Sequence, residues 1–110
     1  MTTYGLIGYP LGHSFSRKFF TEKFEKEGTD AQYLNFEIPS IEEFPNIIKN
    51  SSTLRGLNVT IPYKQQVMQH LDEISEEAKA IGAVNVVKVS EEGLIGYNSD
   101  VIGFVNSIRP

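Results

Sequence analysis

Four short segments of the sequence carry polar side chains of types that bind and transform small polar molecules. They are residues 12–16 (GHSFS), 58–64 (NVTIPYK), 82–85 (GAVN) and 97–100 (YNSD). Between them they offer hydroxyls, amides, a carboxylate and a lysine amine, which can hydrogen-bond hydroxyl groups, hold an acid and move a proton. This inventory predicts a site for a polyhydroxylated carboxylic acid.

Lys64 and Asp100 are the candidates for proton transfer. Lys64 is predicted to lie in the first turn of a helix opened by Pro62, on the same inward stripe as Met68 and Leu71. A cation at that end of a helix is disfavoured by the macrodipole by ~0.3–1 kcal/mol, so a functional reason is expected; the alternative is a surface lysine. Asp100 follows a predicted strand and is either a plain helix cap or a carboxylate partner of Lys64.

The remaining candidates are ligands for an anion and for hydroxyl groups. Ser14 and Ser16 precede a predicted helix whose free N–H groups favour a carboxylate or phosphate, although Ser16 is also a suitable helix cap. Thr60 and Asn85 end segments expected near the ligand edge of the sheet. His13 is interpreted as structural.

Hydrophobic periodicity predicts strands that alternate with helices. The predicted strands cover residues 4–8, 33–38 and 56–61 and a hairpin of residues 83–89 and 94–98 around Glu91, Glu92 and Gly93. The predicted helices begin at Ser16 (ending at Gly28), Ser40 (or a turn later, because of Pro45), Pro62 (with a stripe of Val67, Leu71 and Ile74), Ser75 (ending at Gly82) and Ser99 or Asp100.

This order predicts an α/β fold: a mostly parallel sheet with one antiparallel hairpin and helices on both faces, in three layers. Ligands of open sheets of this kind bind outside the carboxyl ends of the strands. The four polar segments are therefore expected to meet at that edge.

Composition narrows the class of partner. The chain has 110 residues, which suits one domain, and a net charge of −4 with scattered basic residues, so neither a nucleic-acid nor a membrane partner is expected. The first residues lack the pattern of a signal peptide and no apolar run approaches membrane length, so neither a signal peptide nor a membrane span is expected. The chain contains no cysteine, which fits a cytoplasmic location, and no metal site is predicted. Monomer and homodimer both remain open.

The ordered motifs resemble the N-terminal domain of shikimate dehydrogenase. The match rests on the four polar segments, with the fourth continuing as Asn98-Ser99-Asp100-x-x-Gly103, and it spans nearly the whole chain. The resemblance implies NADP-dependent, reversible reduction of 3-dehydroshikimate to shikimate in the biosynthesis of aromatic amino acids and chorismate.

The resemblance also implies roles for individual residues. Lys64 would be the catalytic acid and base beside Asp100, and Ser14 and Ser16 would bind the substrate carboxylate. The ring hydroxyls would be bound by Thr60, Asn85 and Asp100. Glu76 corresponds to a position near the cofactor cleft and would contact NADP.

Three residues depart from the family pattern. Arg17 stands where proline usually follows the second serine, Val86 replaces threonine after Asn85, and Ser99 replaces threonine before Asp100. Val86 lacks a hydroxyl that could tune the choice of substrate, whereas no proposed catalytic group is lost.

The sequence holds no Gly-rich dinucleotide-binding fingerprint. We therefore expect residues 1–110 to be the substrate-binding catalytic domain with the start of a connecting helix, and the NADP-binding domain to lie outside this chain. The fragment alone is expected to be inactive. The alternatives are a relative that acts on quinate, and a non-catalytic module that binds a small acid.

Overall fold

The computed structural model describes residues 1–12 and 15–99, without the side chains of Phe15 and Ser16. Its strands are β1 (Thr2–Gly8), β2 (Ala31–Glu37), β3 (Leu54–Val59), β4 (Glu73–Ile74), β5 (Val86–Ser90) and β6 (Gly93–Tyr97). Its helices are α1 (Phe15–Glu27), α2 (Phe44–Asn50) and α3 (Glu76–Ile81), and two 3-10 helices span Ile41–Glu43 and Gln66–His70.

The strands form one mixed sheet in the order β2-β1-β3-β5-β6-β4. Strand β1 is parallel to both β2 and β3, and β4 is parallel to β6. Strand β5 is antiparallel to both of its neighbours, β3 and β6. The other five strands therefore share one direction, which confirms the predicted mostly parallel sheet with its hairpin of β5 and β6.

Helices cover both faces of the sheet, as predicted. Helix α1 packs on one face, and the buried residues there are Tyr4, Leu6, Phe20, Phe24, Tyr33 and Val86. The opposite face packs against α2, α3 and the 3-10 helices, through a core that includes Ile7, Phe44, Leu57, Val67, Ala78 and Val87. The alternation of Leu6 with Ile7 and of Val86 with Val87 sends successive side chains to opposite faces.

Local signals fix several element ends as expected. The Ser75 hydroxyl accepts a hydrogen bond from the Ala78 N–H at 3.2 Å and caps α3. Helix α3 ends at Gly82, whose φ of 82° lies in the left-handed region that glycine adopts without strain. Helix α1 likewise stops before Gly28, with a φ of 68°.

The helix predicted to run from Pro62 through Ile74 is wrong. Residues 60–65 form turns, a 3-10 helix follows at Gln66–His70, and Ile74 lies in the short strand β4. The segment is drawn into the sheet because the main chain around β4 finds partners in β6: the Asp72 N–H donates to the Leu94 carbonyl and the Ser75 N–H to the Gly96 carbonyl, both at 2.9 Å. Tertiary pairing thus replaces the helical hydrogen bonds.

Two boundaries also differ from the predictions, and the start of α2 takes the later of its two predicted positions. Strand β3 begins and ends two residues earlier than predicted, because the chain turns at Thr60, whose carbonyl accepts from the Tyr63 N–H at 3.0 Å. Ser40 caps a 3-10 helix, and α2 begins a turn later with Pro45 in its first turn, where the missing N–H is tolerated. Helix α1 begins at Phe15, so Ser16 lies inside its first turn rather than at its cap. The helix predicted after Ser99 lies outside the described residues.

Across residues 1–12 and 15–99, no helix has both the length and the apolar character required to cross a membrane.

Candidate functional site

The carboxyl ends of β1 and β3 are joined directly beside Thr60. The Thr60 N–H donates to the Ile7 carbonyl at 2.9 Å, and the Tyr9 N–H donates to the Ile61 carbonyl at 3.1 Å. Gly8 permits this approach, because a Cβ atom at that position would collide with the Thr60 methyl group. Thr60 is thereby held, half-buried, at the edge of the sheet where ligands bind in folds of this kind.

The reversed direction of β5 brings Asn85 to the same edge. Since β5 is antiparallel to β3, the residue that precedes β5 lies beside the residues that end β3. The Val59 N–H donates to the Asn85 carbonyl at 2.8 Å, and the Asn85 N–H donates to the Tyr97 carbonyl at 3.0 Å. Asn85 therefore joins the ends of β3 and β6, and three of the four polar segments meet there.

Two asparagine side chains fasten the segment after β6 to the segment before β5. The Asn85 amide accepts from the Ser99 N–H at 2.8 Å through Oδ1 and donates to the Ser99 carbonyl at 2.6 Å through Nδ2. In the other direction, the Asn98 amide donates to the Ala83 carbonyl at 3.1 Å. We call these contacts of Asn85 and Asn98 the asparagine clamp.

Lys64 is exposed at this edge, at the end of the turn that follows Thr60. Its carbonyl accepts from the Val84 N–H at 2.8 Å, so the main chain of Lys64 is tied to the segment that carries Asn85. The predicted placement of Lys64 on an inward helical stripe is wrong, because residues 62–65 do not form a helix. The ammonium group instead projects toward solvent, where a ligand could reach it.

Tyr63 anchors the turn that carries Lys64. Its ring is buried in the core, with 3% of its surface exposed, and its hydroxyl donates to the Ile38 carbonyl. Burial raises the pKa of the Tyr63 hydroxyl above its ordinary value, and the negative charges of Glu43 and ionised Tyr9 raise it further. The folded protein therefore favours the neutral hydroxyl of Tyr63, and its hydrogen bond to Ile38 holds one side of the turn in place.

Glu76 lies in the first turn of α3, where the positive end of the helix dipole stabilises its negative charge. Its side chain is 94% exposed and pairs with Lys79 one turn later, at 3.6 Å. An exposed ion pair of this type contributes little to stability. This placement leaves the Glu76 carboxylate accessible to a ligand.

The structure thus collects Thr60, Lys64 and Asn85 at one edge of the sheet. Ser14 and Asp100 lie outside the described residues, although the clamp fixes the main chain of Ser99, which immediately precedes Asp100. Only the backbone of Ser16 is described, in the first turn of α1. Among the described residues, no group of three or more His, Asp or Glu side chains is arranged to hold a metal ion.

Sequence reasoning gave no role to Asn98 or Tyr63, although both stand inside polar segments that it quoted. Asn98 follows a strand directly, which is a position from which a short amide can reach a neighbouring main chain. No sequence signal identified the contact between Tyr63 and Ile38, because these residues are 25 positions apart.

The fold and this edge define a class of protein: an α/β substrate-binding domain whose polar residues converge at the carboxyl ends of parallel strands. Comparison with known proteins gives the particular family. A family model described as shikimate dehydrogenase substrate binding domain matches residues 6–87. The chain belongs to this family.

Individual relatives agree with that assignment. The shikimate dehydrogenase (NADP(+)) of Syntrophomonas wolfei is 48% identical over 107 residues, which are 96% of this chain and 37% of that protein. The crystal structure of shikimate 5-dehydrogenase from Thermus thermophilus in complex with NADP(H) and shikimate is 35% identical, with a TM-score of 0.82 over 98% of this chain and 41% of that one.

A relative with another name has the same fold. The ligand-free 5-ketofructose reductase of a Gluconobacter strain is 29% identical, with a TM-score of 0.82 over 98% of this chain and 40% of that one. The chain thus spans about two fifths of the length of these proteins.

Proposed function

We propose that this chain is the substrate-binding and catalytic part of an NADP-dependent shikimate dehydrogenase, which reversibly reduces 3-dehydroshikimate to shikimate. The observation that carries the proposal is the convergence of Thr60, Lys64 and Asn85 at one sheet edge, held there by main-chain hydrogen bonds. Membership of the substrate-binding family and a relative crystallised with shikimate support the choice of ligand.

In this proposal the chain binds shikimate by its carboxylate and its hydroxyls. Ser14 and Ser16 hold the carboxylate near the start of α1, where the N–H groups and the dipole favour an anion. Thr60, Asn85 and Asp100 hydrogen-bond the ring hydroxyls. The Asn85 amide uses one lone pair of Oδ1 and one Nδ2 hydrogen in its contacts with Ser99, so the second lone pair and the second hydrogen are available to a substrate hydroxyl.

Lys64 transfers the proton, and Asp100 orients it. During oxidation of the alcohol, the Lys64 amine takes the hydroxyl proton as the C–O bond becomes a carbonyl; during reduction, the ammonium returns it. Asp100 accepts hydrogen bonds from the same hydroxyl and from Lys64. The exposed position of Lys64 at the rim allows it to exchange that proton with solvent between turnovers.

The sequence of this chain carries no Gly-rich dinucleotide-binding fingerprint. The loop after β1 reads Gly-Tyr-Pro-Leu-Gly and lacks the Gly-x-Gly-x-x-Gly arrangement that lets a main chain approach a pyrophosphate. NADP, when bound, supplies the hydride acceptor, and it would be held mainly by residues outside this chain. Glu76 is the described residue that we place near the cofactor. Residues 1–110 then correspond to the substrate domain with the start of the connecting helix.

The test uses the full-length enzyme with shikimate, quinate and NADP, followed by the absorbance of NADPH. We expect turnover with shikimate, far less with quinate, and none from residues 1–110 alone, because hydride transfer needs the nicotinamide within roughly 3–3.5 Å of the reacting carbon. Preferred turnover of quinate, or reduction of 5-ketofructose in place of 3-dehydroshikimate, would assign the site to another acid or to a ketose. Binding of shikimate without turnover would identify a non-catalytic module. The cytoplasmic location expected from the sequence stays a prediction.

A further inference from the structure

Glu37 is the last residue of β2, and its side chain reaches the segment that joins β1 to α1. Its carboxylate oxygen Oε2 accepts a hydrogen bond from the Leu11 N–H at 2.6 Å, between residues that are 26 positions apart in the chain. A short hydrogen bond to a charged acceptor is stronger than one between neutral groups. Glu37 therefore ties the connecting segment to the end of the sheet.

The register of the parallel pair β1 and β2 places Glu37 beside this segment. Gly8, the last residue of β1, is the register partner of Glu37, and the Ile38 N–H donates to the Gly8 carbonyl at 3.2 Å. The chain leaves the sheet directly after Gly8, so Leu11 lies three residues beyond the partner of Glu37. The long side chain of glutamate covers that distance, and the contact follows from the pairing of the strands.

Further contacts fix the path of the connecting segment on either side of this hydrogen bond. The Tyr9 N–H donates to the Ile61 carbonyl at 3.1 Å, and the partly buried side chain of Leu11 packs against the core cluster beneath α1. Gly12 has a φ of 52°, in the left-handed region that glycine adopts without strain, and turns the chain toward α1. The position of Leu11 thus determines where the chain enters the helix.

The proposed ligands of the substrate carboxylate follow Leu11 within a few residues. Ser14 stands three positions later in the sequence, and Ser16 belongs to the first turn of α1. A group that binds a ligand is effective when neighbouring contacts hold it in the geometry that the ligand requires. The hydrogen bond between Glu37 and Leu11 is a contact of this kind for the segment that carries the serines.

The charge of Glu37 has the sign that an anion site normally avoids. Like charges repel, so an anionic side chain beside a segment that receives a carboxylate weakens binding unless the side chain has another role. A residue that conflicts with its surroundings in this way is a candidate for function. The hydrogen bond from the Leu11 N–H supplies that role, because it uses the carboxylate as an acceptor for the main chain.

We propose that Glu37 is a positioning residue for binding of the substrate carboxylate. Through the Leu11 N–H it holds the connection between β1 and α1 in the place from which Ser14 and Ser16 bind the acid, and this inference rests on the proposed function. The hydrogen bond is exposed, so water can replace Glu37 as the partner of the Leu11 N–H. Loss of Glu37 therefore lowers the affinity for the acid and has little effect on the stability of the fold.

Steady-state kinetics and thermal unfolding of full-length enzyme variants test this role. Glu37→Ala should raise the KM for shikimate ~5–10-fold and change kcat by less than ~2-fold, with an unchanged melting temperature. Glu37→Gln keeps an acceptor of the same reach and should retain most of the affinity, whereas Glu37→Asp is one methylene shorter and should behave like the alanine variant. Glu42→Ala is the matched control, because it removes an exposed carboxylate from the 3-10 helix that follows β2, and it should change neither constant.

A double-mutant cycle separates positioning from any other effect of Glu37. In an enzyme that already carries Ser14→Ala and Ser16→Ala, Glu37→Ala should change the KM by less than ~2-fold, because the hydroxyls that it positions are absent. The role is refuted if the effects of the changes multiply, or if Glu37→Ala leaves the KM unchanged or lowers it. The unchanged enzyme tests the proposed function separately: absence of shikimate turnover contradicts that function and the role of Glu37 with it, whereas normal turnover with an unaltered KM in Glu37→Ala contradicts the role of Glu37 alone.

Discussion

The amide of Asn85 pairs with both main-chain groups of Ser99, accepting from its N–H at 2.8 Å and donating to its carbonyl at 2.6 Å. Asn85 precedes β5 and Ser99 follows β6, so both lie at the open end of the hairpin, where this side-chain contact extends the pairing of the two strands. Because Ser99 immediately precedes Asp100, the same contact ties a proposed hydroxyl ligand to a proposed catalytic carboxylate.

Asn85→Asp keeps the size and shape of the side chain but removes the Nδ2 donor of this contact. The new carboxylate still accepts from the Ser99 N–H but presents an oxygen to the Ser99 carbonyl, so the free energy of unfolding should fall by ~1–3 kcal/mol. In the full-length enzyme, the KM for shikimate should rise as well. Urea unfolding and steady-state kinetics measure the two effects. Asn46→Asp adds the same charge at an exposed site in α2 and should change neither; unchanged stability and KM in the Asn85 variant would show that the clamp is dispensable.

Lys64→Ala should lower kcat of the full-length enzyme by ~10²–10⁴ while leaving its melting temperature nearly unchanged. The side chain is exposed, and the hydrogen bond between the Lys64 carbonyl and the Val84 N–H does not depend on it. Lys49→Ala removes an exposed lysine from α2 and serves as the control in the same assay. A Lys64 variant with near-normal kcat would contradict the assignment of proton transfer to this residue.

Replacing Ser14 and Ser16 by alanine should mainly raise the KM for shikimate. Each charge-assisted hydrogen bond that is lost should weaken the binding free energy of shikimate by ~1.5–3 kcal/mol. The methyl ester of shikimate provides the control, because it lacks the charge that these hydroxyls are proposed to hold. The serine variants and the unchanged enzyme should handle the ester with similar KM values. If the variants bind the acid normally, its carboxylate is held elsewhere.

Glu76→Gln should raise the KM for NADP and leave the KM for shikimate unchanged, if this exposed carboxylate contacts the cofactor as proposed. Glu77→Gln is a closely matched control, because it removes an exposed carboxylate from the same first turn of α3. Both variants weaken the interaction with the helix dipole equally. Equal kinetic constants in the two variants would contradict the contact between Glu76 and NADP and leave Glu76 with a helix-stabilising role alone.

The buried hydroxyl of Tyr63 makes stability depend on alkaline pH. Its pKa is raised in the folded protein above the ordinary value of 10.0, so the unfolded chain loses this proton first. The contribution is complete below about pH 10 and is lost as pH rises toward the folded pKa. Tyr63→Phe should lower stability at neutral pH by ~1–3 kcal/mol, because the Ile38 carbonyl loses its donor, and should make the alkaline decline shallower.

Urea unfolding at pH 7 and above pH 10 checks this prediction. Tyr97→Phe is the control, since Tyr97 is partly buried in β6 and its ring keeps its packing when the hydroxyl is removed. A Tyr63 variant that keeps the full alkaline decline would place its origin in another buried group, such as Tyr4, whose pKa burial also raises.

The sequence by itself determined the features that depend on neighbouring residues. Ser75 and Gly82 delimit α3 because a hydroxyl cap and a left-handed glycine act within one turn of the chain. The hairpin of β5 and β6 was predicted around Glu91 and Glu92 because its strands alternate on either side of a short turn. The ordered polar segments also carried the resemblance to the family, which the family match over residues 6–87 confirms.

The tertiary structure decided the features that depend on distant partners. The stripe of Val67, Leu71 and Ile74 fits a helix, yet Ile74 enters β4 because its main chain pairs with Gly96, 22 positions later. Lys64 is exposed, and Asn85 clamps Ser99, for the same reason: the contacts are made across the sheet between segments far apart in the chain. Hydrophobic periodicity indicates which side chains are buried, but it does not indicate which strand provides the partners for the main-chain hydrogen bonds.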